Sequence, residues 1–122
     1  VIQRIRDSFI EGSSCTIVLC GAETPWRKYV DWEIKATLDK EHGLIGVNLP
    51  TNRMDSAGKV FVPTRLYDNT QSGYAPWTNW ADFTKTPESA KSYIELAISK
   101  PAKLIVNSRE MMARNGNPPW HT

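Results

Sequence analysis

Long apolar runs are missing from this 122-residue chain. The longest are only a few residues, well short of the roughly 20 that a membrane-spanning helix needs. No strong charge of one sign is present either. Fifteen basic and thirteen acidic residues give a net +2, and both signs are scattered along the chain. That leaves no electrostatic footprint for nucleic acid or an anionic membrane. Histidine and cysteine number two each. His42 and His121 stand alone, so no metal ligand set is expected. Cys15 and Cys20 flank one apolar run at an odd spacing. On a strand they would point to opposite faces, too far apart to bridge, and are expected as buried reduced thiols. A cytoplasmic location is the expectation.

What is present is ordinary for a folded domain: 40% hydrophobic and 23% charged residues, too apolar for disorder and enough for one core. Residues 1–11 carry Val1, Ile2, Ile5, Phe9 and Ile10 at helical spacing before Gly12, which predicts a helix. Residues 16–20 form an apolar, β-branched run, the pattern of a strand buried on both faces. Thr24 and Pro25 suit the cap and first position of a helix running to about Asp39, which Gly43 would terminate. Residues 44–49 form a second apolar strand before Pro50. Strand, helix and strand with short connections predict a βαβ crossover in a parallel sheet.

The next stretch, residues 51–84, is polar, with apolar patches at Val60-Phe61-Val62 and at 74–80. A connection of that length is expected to be functional. Thr86-Pro87 opens another helix, with Ala90, Tyr93, Ile94, Ala97 and Ile98 on one stripe and Pro101 breaking it. A helical stretch over 102–114 and a tail at 117–122 complete the reading.

One carboxylate stands out. At 100° per residue, Trp26, Tyr29, Val30, Ile34, Thr37 and Leu38 share the face expected to meet the sheet. Glu33 falls between Tyr29 and Val30 on that stripe, while Lys28, Asp31 and Lys35 point away. A core-facing glutamate is costly unless paired, and such positions are enriched in functional sites. The competing interpretation is a stripe-edge glutamate that meets a basic side chain. Trp32 is expected on the outer face, covered by another part of the chain or by an oligomer contact. Ligands of open parallel sheets bind at the carboxyl ends of strands. A helix starting at Thr24 would put Glu33 roughly 13 Å from its own beginning, so a later start, near Arg27, is expected.

Several spaced elements agree in order with one family. Ser14-Cys15-Thr16-Ile17-Val18-Leu19-Cys20-Gly21, then Thr24, Tyr29-Val30-Asp31-Trp32-Glu33-Ile34 and Leu44-Ile45-Gly46-Val47 resemble the TIR-like family of short prokaryotic proteins. That family includes the TIR component of the Thoeris anti-phage system. Pro63-Thr64-Arg65-Leu66, Asp68-Asn69 and Gly73-Tyr74 resemble its downstream segment. The resemblance implies an α/β, flavodoxin-like parallel sheet with helices on both faces, with the domain over residues 1–116. It also implies that the family's opening β-α-β segment is missing, so an unpaired edge is expected along residues 16–20.

In enzymatic TIR domains the glutamate of this helix cleaves NAD at the nicotinamide–ribose bond, which gives Glu33 the catalytic role. Gly21, Thr24, Trp26 and Tyr29 would then border the substrate. NAD enters as substrate rather than cofactor, and a cyclised ADP-ribose signal is the implied outcome; self-association is a separate expectation. Two alternatives stay open. One is a nucleoside deoxyribosyltransferase-like enzyme, and the other is a non-enzymatic TIR-like scaffold or nucleotide sensor.

Overall fold

The computed structural model describes residues 3–9, 13–21, 28–111 and 120–121, with side chains described for 15–21 and 28–111. Its centre is the βαβ unit that the apolar runs demand. Strand β2 (Ser13–Cys20), helix α1 (Lys28–Asp39) and strand β3 (Gly43–Asn48) follow one another. The strands pair in parallel from Cys15↔Gly43 to Cys20↔Asn48. After strand β4 (Phe61–Val62) and helix α2 (Thr64–Gln71), strand β5 (Trp77–Asn79) joins the far edge of β3, again in parallel. Helices α3 (Trp80–Phe83) and α4 (Pro87–Ser99) follow. The fold is α/β, with parallel strands between helical layers, as expected of a flavodoxin-like TIR fold.

Each strand of the unit is buried on both faces, and the period of two sorts its residues into two cores. Val18, Cys20 and Leu44 pack with Val30, Ile34 and Leu38 of α1 and Leu66 of α2. Cys15, Ile17, Leu19, Ile45 and Val47 pack with Phe83 and Ala97, under the α4 stripe of Ala90, Tyr93, Ile94 and Ile98. Cys15 and Cys20 are therefore buried on opposite faces, as their spacing requires. Burial pushes the Cys20 thiol far above its ordinary value, so it stays protonated.

The helix expected over residues 1–11 is not observed. Residues Gln3–Phe9 form strand β1, antiparallel to β2 from Gln3↔Leu19 to Phe9↔Ser13. A buried strand must satisfy backbone N–H and C=O groups on both edges. β3 serves one edge of β2 and β1 the other, so pairing overrides the helical spacing of the apolar residues. The expected open edge along residues 16–20 is likewise absent, since β1 lies against it. The sheet order is β1-β2-β3-β5.

The expected helix over 102–114 is also replaced. A 3-10 turn at Ala102–Leu104 gives way to an extended strap over 105–111, and residues 112–114 lie outside the described residues. Its backbone is held by side chains instead of by a helical ladder. Asn69 Nδ2 donates to the Val106 carbonyl at 2.8 Å, and the Val106 N–H donates to Asn69 Oδ1 at 2.9 Å. Arg109 pairs with Asp68 at 2.6 Å. Trp120–His121 forms strand β6, antiparallel to β4.

α4 keeps the start its sequence announces. Thr86 is the N-cap, its hydroxyl accepting from the Ser89 N–H at 3.0 Å, and Pro87 follows.

Gly46 is where β5 docks. A Cβ there would lie 2.5 Å from the Trp77 ring and 3.0 Å from Leu66 Cδ2. Gly46→Ala is expected to destabilise the fold by about 1–3 kcal/mol, the usual cost of overpacking. A urea midpoint equal to that of the unmodified protein would contradict this docking.

Candidate functional site

α1 carries the glutamate singled out by sequence, and the structure sets it on the flank of the buried face rather than within it. The buried residues are Val30, Asp31, Ile34, Thr37 and Leu38. The stripe is thus rotated towards Asp31, which was expected to point outwards. Asp31 is 6% exposed and meets Arg65 of α2, 0% exposed. Arg65 Nε donates to Asp31 Oδ1 at 2.9 Å and Nη2 to Oδ2 at 3.3 Å. The same guanidinium donates to Asn107 Oδ1 at 2.9 Å and to the Glu110 carbonyl at 3.0 Å. A bidentate partner is what allows the aspartate to enter the core.

Rotation of the stripe brings Tyr29 out. It is 53% exposed, a correction to its expected place on the sheet-facing stripe. Trp32 is half-buried and meets it edge-on, ring centroids 5.0 Å apart. Lys28 Nζ lies over both rings, 5.5 Å from Tyr29 and 5.3 Å from Trp32, within the range of cation–π attraction. Trp32 is thus covered partly by its own helix.

Glu33 is half-buried, one turn beyond Tyr29. Its carbonyl accepts from Thr37 Oγ1 at 2.9 Å, and the Thr37 hydroxyl lies 2.7 Å from that of Thr16 on β2. These bonds fix the height of α1 over the sheet. α1 is described from Lys28, and the expected start near Arg27 lies outside the described residues. Glu33 stands roughly 7–8 Å along the axis from Lys28. Gly21 is buried just past β2, whereas Thr24 and Trp26 lie outside the described residues.

A second feature was not read from sequence. At the carboxyl ends of β3 and β5 lies an open cleft of about 520 Å³. Asn48 and Asn79 stand at the strand ends, Trp77 and Thr78 come from β5, Asp82 from α3 and Tyr93 from α4. No α1 residue lines it. Asn79 Oδ1 accepts from the Asp82 N–H at 2.8 Å, and Asn79 Nδ2 donates to Asp82 Oδ2 at 3.1 Å. Asn52 Nδ2 donates to Asn48 Oδ1 at 2.7 Å and to the Phe61 carbonyl at 2.9 Å, tying the loop after β3 to the cleft rim. The available signal in sequence was the polar, Asn-rich stretch around a short apolar patch at 74–80. Without the β3–β5 pairing, nothing marks those residues as neighbours.

Among the described residues no group of three or more His, Cys, Asp or Glu is placed to hold a metal ion. No described helix is long and apolar enough to cross a membrane.

Strands β2 and β3 and α1 with its glutamate all fall inside one family match. Residues 1–54 match the family described as Thoeris protein ThsB, TIR-like domain. Over that stretch the chain is similar to that family. The resemblance drawn from residues 14–47 is thereby borne out, and the match ends before α2 and the cleft-forming β5. Neither the curated proteins nor the solved structures give a match.

Proposed function

We propose that the protein carrying this chain is an NAD-cleaving TIR-type enzyme of anti-phage defence, with Glu33 as its catalytic carboxylate. The observation that carries this reading is the ThsB TIR-like match, which spans Glu33. Support comes from the position of Glu33, half-buried on the flank of α1 one turn from the exposed Tyr29. The chemistry suits one carboxylate. As the C–N bond of the ribosyl–nicotinamide breaks, both electrons leave with the neutral nicotinamide. The oxocarbenium-like ribose left behind is stabilised by a nearby anion. Water then attacks to give ADP-ribose, or a nucleophile of the same molecule attacks to give a cyclic product. Gly21, Thr24, Trp26 and Tyr29 border the substrate in this reading, and self-association in the cytoplasm belongs to it.

The test is incubation of the full-length protein with NAD and, separately, with a deoxynucleoside plus a free base. Nicotinamide release from NAD supports the proposal. Base exchange on the deoxynucleoside alone would replace it with the transferase reading, and no turnover of either would replace it with a scaffold.

A further inference from the structure

We infer that the cleft at the ends of β3 and β5 is a second ligand site, distinct from Glu33, that takes an uncharged nucleoside. Its place is the carboxyl edge of parallel strands, where ligands of open α/β sheets bind. Its volume, about 520 Å³, lies within the range of small-molecule pockets.

Thr78 supplies the independent sign that something is to be bound. It is 6% exposed, and its Oγ1 is buried with no hydrogen-bond partner among the described residues. Buried hydroxyls are nearly always satisfied, and leaving one unpaired is unfavourable. Thr78 stands in the cleft wall with its Oγ1 shut off from solvent, so a ligand hydroxyl or amine meets this group only as the wall parts around it.

The remaining lining sets the ligand class. Trp77 and Tyr93 offer aromatic surface to a planar ring. Asp82 contributes a carboxylate held by Asn79, an acceptor suited to the vicinal hydroxyls of a ribose. Asn48 is oriented by Asn52 through its Oδ1, which directs its own amide N–H groups elsewhere. Among the described residues no lysine or arginine lines the cleft, and the one charge there is negative. A phosphate would therefore meet repulsion instead of a counterion.

The experiment is calorimetric titration of the full-length protein with adenosine and with AMP, repeated on Thr78→Val and Glu33→Gln. Valine keeps the shape of threonine without the orphaned hydroxyl, so the variant should melt no lower than the parent. Adenosine is expected to bind saturably, AMP about tenfold or more weakly, and Thr78→Val to lose about fivefold in adenosine affinity. Glu33→Gln should leave adenosine affinity unchanged, which separates this site from NAD cleavage, whose readout is nicotinamide release. Absence of saturable adenosine binding, equal or tighter binding of AMP, unchanged affinity in Thr78→Val or loss of binding in Glu33→Gln would each overturn the proposal.

Discussion

Arg65→Leu is expected to remove about 3–5 kcal/mol of stability, the cost of leaving one partner of a buried ion pair without the other. Small domains hold about 5–15 kcal/mol in all, so this one change consumes a large share. The guanidinium joins α2 to Asp31 of α1, to Asn107 and to the Glu110 carbonyl. Leucine can fill part of the volume but leaves Asp31, 6% exposed, without its cation. A second substitution separates charge from packing. Arg65→Met combined with Asp31→Leu replaces the pair with apolar groups and is expected to recover much of the loss, because buried pairs contribute little over a well-packed apolar substitute. Urea unfolding of the three proteins decides the matter. An Arg65→Leu protein within about 1 kcal/mol of the parent would show that the pair is not what anchors α2.

Glu33→Gln is expected to reduce nicotinamide release by about a hundredfold or more while the thermal midpoint stays within a degree or two. The size follows from losing a negative charge placed against a developing cation, an interaction that typically contributes 10²–10³ in rate, roughly 3–4 kcal/mol. The small effect on stability follows from position. Glu33 lies on the flank of α1, outside its buried stripe, and glutamine has the same shape and similar helix propensity. The backbone bond from Thr37 to the Glu33 carbonyl is untouched by the change. Full turnover in the variant would remove Glu33 from the mechanism. A collapsed midpoint would show that the side chain is structural instead.

How much of this could be read from residues alone depends on how local the determinant is. β2, α1, β3 and α4 are written in short-range pattern, apolar runs and a Thr-Pro start, although α1 ends at Asp39 with Glu41 in the left-handed region and the expected terminator Gly43 opens β3. All four are found in place. Residues 3–9 and 105–111 depend on partners distant in sequence. The first becomes a strand because β2 has an edge to fill, and the second an extended strap because Asn69 supplies the bonds a helix would have made internally. Asp31 was misplaced for the same reason. Helical periodicity assigns a carboxylate to the outside, and only Arg65, 34 residues on, reverses that. The family resemblance singled out Arg65 and Asn69, which lie beyond the match over residues 1–54, without saying what they touch. The cleft assembles from β3, β5, α3 and α4, so no window of sequence contains it.

The two cysteines give the molecule a pair of internal reporters. Cys20 is sealed beneath α1 and α2, and Cys15 beneath α4, with one sheet between them. A thiol reagent reaches either sulfur only when the covering layer lifts, because burial keeps both out of solvent. The modification rate at Cys20 therefore times the opening of the layer that carries Glu33, and the rate at Cys15 times the opening of the layer beside the cleft. Equal rates describe a sandwich that opens as one cooperative unit, and unequal rates describe two leaves that breathe independently about a common sheet.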